Sequence, residues 1–143
     1  MPGAVGNDMT DRATEILAGA RTIAVVGLSR DPAKASHGVA AVLQAHGFRI
    51  IPVHPTAGEL LGEKVYRSLT EIPEPVDLVD VFRPSEDTPP IAEQAVAIGA
   101  KALWLQQGIV SAESRRIAEE GGLDYVEDRC TAVVRAVANL SVR

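Results

Sequence analysis

The sequence holds one place where residue types and spacing suggest chemistry: Val26-Gly27-Leu28-Ser29, followed shortly by Lys34-Ala35-Ser36-His37-Gly38. That chemistry is anion binding. Gly27 permits a tight turn and close approach of the backbone to a ligand. Ser29 offers a hydroxyl. A helix opening at Ser36, with His37 and Gly38 in its first turn, points free N–H groups and the positive end of its dipole at the same spot. Lys34 adds a full charge. Together these residues form a candidate phosphate cradle for a nucleotide-like ligand.

Two common phosphate motifs fail here. Gly-x-Gly-x-x-Gly needs glycine at positions 29 and 32, which hold Ser29 and Pro32. The Gly-x-x-x-x-Gly-Lys loop also needs glycine at 32. The next strand supplies an independent test. NAD binders usually place an acid near its end to hold the ribose diol, but this strand ends Pro52-Val53-His54-Pro55. The missing acid disfavours NAD and suits a ligand that carries a phosphate on its ribose.

Catalytic groups are scarce, and no catalytic residue and no metal site is expected. His37, His46 and His54 lack metal-ligand spacing, and no Gly-x-Ser-x-Gly elbow occurs. Asp77 and Asp80 bracket a strand and are expected at sheet ends or capping loops. Glu119-Glu120 reads as a solvated helix face, and Trp104 as core or pocket wall. The lone Cys130 has two readings. It is a small buried thiol, or a thiolate favoured by a helix start and Arg129 and able to form a mixed disulfide.

These residues need elements to position them. A helix is expected over 10–19, capped by Thr10, after a flexible tail over 1–9. Thr22–Val26 is a β-branched run that reads as a strand buried on both faces. Ser36 to Gly47 reads as a helix, and Phe48 to Val53 as a strand. A short extended stretch over Leu61 to Tyr66 and a helical turn over Ser68 to Ile72 follow. Val76 to Phe82 is a strand. Thr88-Pro89-Pro90 opens a helix that runs to Gly99. Ala102 to Leu105 is a strand, Ser111 caps a helix ending at Gly121-Gly122, and Asp124 to Val126 is a short strand. A last helix runs from Cys130 to Leu140. This alternation predicts one α/β domain over 10–143, doubly wound, with a mainly parallel sheet of about five strands and helices on both faces.

Composition agrees. The 143 residues are 46% hydrophobic but only 3% aromatic, so Ala, Val, Ile and Leu must build the core. The net charge of −5 shows no basic excess, which argues against nucleic acid as a partner. One cysteine allows no internal disulfide and fits a reducing, cytoplasmic setting. No apolar run reaches the roughly 18 residues of a membrane span, and the first residues do not read as a signal peptide.

The ordered motifs carry a family resemblance. They are Ile23-Ala24-Val25-Val26-Gly27-Leu28-Ser29, Lys34-Ala35-Ser36-His37-Gly38-Val39, Ile51-Pro52-Val53-His54-Pro55, Leu61-Gly62-Glu63-Lys64-Val65-Tyr66, Val76-Asp77-Leu78-Val79-Asp80-Val81-Phe82-Arg83, Ala102-Leu103-Trp104-Leu105-Gln106-Gln107-Gly108 and Glu127-Asp128-Arg129-Cys130. Over roughly residues 14 to 138 the chain resembles the single-domain, Rossmann-like CoA-binding proteins. These are similar to the nucleotide-binding domain of the succinyl-CoA synthetase alpha subunit without its catalytic second domain. The resemblance implies coenzyme A or an acyl-CoA as ligand. Gly27, Leu28 and Ser29, with the amides near Ser36, His37 and Gly38, would cradle the pyrophosphate, and Lys34 would neutralise it. Val53, His54 and Pro55 would line the 3′-phosphate side, and Phe82 and Arg83 would flank the adenine and phosphates. Gln106, Gly108 and the Asp128-Arg129-Cys130 turn would lie toward the pantetheine arm. The family usually has Asn where this chain has His54, commonly Ala at Leu28, and Pro or Met at Thr131. A non-catalytic binder is the leading expectation. The alternative is the nucleotide-binding subunit of a CoA-linked or NAD(P)-dependent enzyme whose catalytic residues lie on another chain. A homodimer or another protein partner fits either.

Overall fold

The computed structural model describes residues 12–142, so the expected tail and the Thr10 cap lie outside the described residues. A helix over 12–18 (α1) leads into β1 (Thr22–Val26), α2 (Ala35–Ala45) and β2 (Arg49–Val53). A small hairpin of β3 (Glu59–Leu60) and β4 (Glu63–Lys64) follows. Then come β5 (Leu78–Val81), α3 (Thr88–Ala97), β6 (Ala102–Leu105), α4 (Ala112–Glu120), β7 (Asp124–Val126) and α5 (Thr131–Ala138). Short 3-10 turns occupy Leu69–Glu71 and Ser85–Asp87.

The main sheet has five strands, all parallel, in the order β2-β1-β5-β6-β7. This is the expected doubly wound, Rossmann-like α/β fold. β1 to β2 winds one way and β5 to β7 the other, so the order reverses between β1 and β5. A cleft opens at such a reversal, outside the carboxyl ends of the strands.

Alternate residues of each strand feed two cores. Ile23, Val25, Leu78 and Trp104 pack against α1, α2 and α5. Ala24, Val79, Val81 and Leu103 pack against the alanines of α3 and α4. Ala40, Ala92, Ala95 and Ala118 are fully buried, which brings the helices close to the sheet without aromatic filler. Trp104 is the large exception. It is core, with its Nε1–H donating to the Arg129 carbonyl at 2.8 Å.

Local signals behave as expected at several ends. Ser111 Oγ accepts from the Ser114 N–H at 3.0 Å and starts α4. Pro89 and Pro90 fill the first turn of α3. The stretch read as extended over Leu61 to Tyr66 is instead partly a tight hairpin turn. Leu61 (φ 53°) and Gly62 (φ 75°) both take the left-handed region such a turn requires.

Gly27 closes β1 under two constraints at once. Its φ is 92°, and a Cβ there would lie 2.7 Å from the carbonyl oxygen of Phe82. Gly27→Ala should therefore lower stability by about 2 kcal/mol or more. Gly38 sits in α2 with open space around its missing Cβ, so Gly38→Ala should raise stability by about 0.5–1 kcal/mol. Urea unfolding of the two variants checks this. A Gly27→Ala midpoint equal to that of the parent would contradict the close approach.

Candidate functional site

Backbone bonds draw the ends of β1, β2 and β5 together. The Phe82 N–H donates to the Val26 carbonyl at 2.9 Å, and the Gly27 N–H donates to the Val53 carbonyl at 3.4 Å. A cleft of about 510 Å³ opens above them. Gly27, Leu28 and Ser29 form one side, Val53, His54 and Pro55 a second, and Arg83 a third. Seven of the expected site residues thus share one cavity. Leu28 contributes backbone there, because its side chain is fully buried in the core.

The loop after β1 is held by its own polar groups. The Ser29 N–H donates to Ser36 Oγ at 2.9 Å, and Ser29 Oγ accepts from the Asp31 N–H at 3.0 Å. Asp31 Oδ1 accepts from the Ala33 N–H at 2.9 Å. The Ser29 amide is therefore spent within the loop, and Ser36 acts as its anchor. Helix α2 begins at Ala35, one residue before the expected start, with Lys34 at its cap position. The Ala35 and Ser36 N–H groups open the helix ahead of its first internal bonds. Lys34, Ser36, His37 and Gly38 do not line the cavity. Lys34 is exposed at the loop's end.

Two further arginines reach this end of the sheet. Tyr66 bridges to Val53 beside β2, which brings the next residue, Arg67, into the cleft wall. Its guanidinium donates to the His54 and Ala57 carbonyls at 3.0 and 2.6 Å. Arg30 donates to Thr56 Oγ1 at 2.7 Å. Arg83 pairs with Asp87 at 2.9 Å.

His54 is neutral in this setting. Its Nδ1 accepts the N–H groups of Thr56 and Ala57 at 3.0 and 2.9 Å, which leaves the ring proton on Nε2. Burial, then the charges of Arg30 and Arg67, hold its pKa below the usual value. An Asn side chain at this position would bond the same two amides through its oxygen, as in an Asx turn. His54 therefore keeps the local turn that Asn would make, and it adds no positive charge.

A second cleft, of about 310 Å³, lies around the other side of the β5 end. Phe82, Gln106 and Cys130 line it, with Ala35 and Val39 of α2. Phe82 and Arg83 are consecutive and face different clefts, so the two cavities meet at the end of β5. Cys130 is half-buried at the cap position of α5, with its thiol side toward this cleft rather than sealed in the core. Gly108 does not line it. Its N–H donates to Asp128 Oδ1 at 2.7 Å. Arg129 and Asp128 line a separate cavity with Arg115 and Tyr125, so of that turn only Cys130 faces the Phe82 cleft.

The two aspartates of the β5 region part company. Asp77 sits at the sheet's amino end, where Oδ2 accepts from the Arg21 and Thr22 N–H groups at 2.9 and 3.0 Å. That matches the expected capping role. Asp80 corrects it. It lies fully buried in mid-sheet, bonded by Gln106 and Thr131. Burial pushes its carboxyl up to about 7, against the opposing pull of those two hydrogen bonds. A carboxyl whose folded pKa lies above its unfolded value stabilises most below the unfolded value. That contribution is lost as pH rises through the folded value. Asp80→Asn removes the loss. In thermal melts, the melting temperature of Asp80→Asn minus that of the parent should therefore grow between about pH 5 and about pH 8. A difference that stays flat across this range would contradict the burial account.

Among the described residues no group of three or more His, Cys, Asp or Glu side chains could hold a metal ion. No described helix is long and apolar enough to cross a membrane.

Comparison with known proteins adds four findings. The model of the family described as "CoA binding domain" matches residues 21–136. The uncharacterized protein YneT of Bacillus subtilis is 45% identical over 123 residues, covering 86% of this chain and 91% of that protein. The alpha subunit of ADP-forming acetate–CoA ligase I of Pyrococcus furiosus is 30% identical over 113 residues, covering 75% of this chain but 24% of its own length. A solved structure of a hypothetical protein from Pyrococcus horikoshii OT3 superposes with a TM-score of 0.86 at 34% identity, covering 90% of both chains.

Proposed function

The chain belongs to the CoA-binding domain family, and from that premise we propose that it binds coenzyme A or an acyl-CoA across the two clefts, without catalysis of its own. The observation that carries this reading is the end of β2. It has no acid, it holds a neutral His54, and it is flanked by Arg30 and Arg67. Such a site attracts a phosphate on the ribose and offers nothing to a free ribose diol.

In this reading the pyrophosphate lies against the Gly27-Leu28 backbone and the first N–H groups of α2. Arg83 supplies charge from the opposite wall, and its pairing with Asp87 keeps it close to the opening. Val53 and Pro55 give the adenosine an apolar seat. The narrower cleft beyond Phe82 takes the pantetheine arm, whose thiol end runs toward Gln106 and Cys130. A binder of this kind serves as a carrier, a sensor or a regulatory partner. One observation favours a second reading, in which the chain is the CoA-binding subunit of a larger enzyme. The acetate–CoA ligase alpha subunit matches this chain over only 24% of its length. A partner chain that co-purifies and confers ligase activity would decide for it.

Ligand-induced stabilisation tests the proposal. Saturation at about 100-fold over Kd adds about 2.7 kcal/mol, which raises the melting temperature by roughly 5–15 °C for a domain of this size. CoA should give such a shift, dephospho-CoA a smaller one, and NADH none. Arg30→Gln should weaken CoA by about tenfold while barely affecting dephospho-CoA. No shift at millimolar CoA, or equal shifts with NADH, would overturn the proposal.

A further inference from the structure

Among the described residues, Asp80 is the only buried carboxylate. It lies on β5 between Val25 of β1 and Trp104 of β6. Its partners form a closed ring. Gln106 Nε2 donates to Asp80 Oδ1 at 2.6 Å and to Thr131 Oγ1 at 2.8 Å, and Thr131 Oγ1 donates to Asp80 Oδ2 at 3.1 Å. The proton count closes only one way. Both Nε2 hydrogens and the hydroxyl hydrogen are used, and the carboxylate accepts without donating. The amide nitrogen of Gln106 must then point inward and its carbonyl oxygen outward. No described residue donates to that Oε1. Nor is it sealed away, since Arg135 Nε is the only buried unpartnered side-chain atom among the described residues. Oε1 therefore opens on the cleft that Gln106 shares with Phe82 and Cys130.

We infer that Asp80 is a positioning residue for the ligand: it fixes the Gln106 amide so that the cleft presents an acceptor to an N–H or O–H donor, and protonating Asp80 reverses the amide and weakens that contact. This rests on the reading of the Phe82 cleft as the seat of an amide-bearing arm. A proton on Asp80 Oδ2 would find the Thr131 hydroxyl and leave the amide as it is. A proton on Oδ1, which lies 2.6 Å from the amide, can be received only by an inward Gln106 Oε1, and we place it there. The cleft then meets an NH₂ group, which repels the donors it previously bound.

No other charge sets this equilibrium. The titratable groups on the elements packed over this face are Arg12 and Glu15 of α1, His37 of α2 with Lys34 and His46 at its two ends, Glu59, Glu63 and Lys64 of the β3-β4 hairpin, Arg129 and Cys130 before α5, and Arg135 within it. β1 and β6 carry none. The shift at Asp80 comes from burial, opposed by Gln106 and Thr131, with no contribution from those groups.

The test uses the full ¹⁵N-labelled chain with two ligands: CoA, and adenosine 3′,5′-bisphosphate, which shares the 3′-phosphate but lacks the arm. The Gln106 side-chain NH₂ should be protected from exchange at about pH 8.5 and lose that protection near about pH 5.5. Over the same range the Kd of CoA should rise about tenfold more than that of the bisphosphate, and Asp80→Asn should erase the excess. The bisphosphate corrects for titration of the phosphate itself. An NH₂ group that is unprotected at the higher pH, or equally protected at both, would overturn the inference. So would an excess that persists in Asp80→Asn. A chain that binds neither ligand would overturn the proposed function instead, and the exchange measurement would still decide the positioning role.

Discussion

The site depends on how closely the end of β5 approaches the turn after β1. The Phe82 carbonyl oxygen lies 2.7 Å from where a Cβ on residue 27 would be, and Gly27 takes a left-handed conformation to pass beneath it. This contact draws two strands that run on to opposite sides of the sheet into one rim. The reversal of strand order places the cleft there, and the bare backbone of Gly27 becomes its floor. A small-residue core serves the same geometry. Buried alanines at 40, 92, 95 and 118 let helices sit close against the strands, so the strand ends stay in register and the rim keeps its shape.

Two kinds of electrostatics meet at this rim. The wider cleft is cationic and open. Arg30, Arg67 and Arg83 are held by hydroxyl, carbonyl and carboxylate oxygens near its mouth, where water screens them and a phosphate can replace part of that water. The narrower cleft rests on a buried carboxylate with no cation beside it. Burying such a charge costs on the order of several kcal/mol unless hydrogen bonds compensate. Gln106 and Thr131 provide that compensation. A fold keeps such a group at a cost in stability. Here Asp80 ties β5, the end of β6 and the start of α5 into one polar joint directly beneath the cleft.

Much of this was legible in the sequence because it is local. The β-branched run of β1, the obligate glycine after it, the Ser111 cap and the acid-free end of β2 each follow from neighbouring residues. The alternation of elements then leads to the doubly wound sheet. What escaped the sequence depends on long-range placement. Arg67 enters the cleft only because Tyr66 bridges to Val53, a pairing with no local signature. Asp77 and Asp80 look alike in one strand, yet three residues of rise separate a solvated cap from a sealed core site. Ser36 and Ser29 both read as ligand groups, but the loop folds so that one bonds the other. His54 read as a departure from the family's Asn. Its ring nitrogen accepts the same kind of turn bonds, which sequence identity alone does not reveal.

The central claim is that backbone at the Gly27 turn seats the ligand's pyrophosphate, while the arginines at the end of β2 take its 3′-phosphate. A crystal structure of the chain soaked with CoA tests it most directly. The account predicts the pyrophosphate within hydrogen-bond distance of the Gly27-Leu28 backbone and the first N–H groups of α2, with the 3′-phosphate between Arg30 and Arg67 and the arm passing Phe82 toward Gln106. A pyrophosphate bound elsewhere, with the Gly27 turn empty, would contradict it.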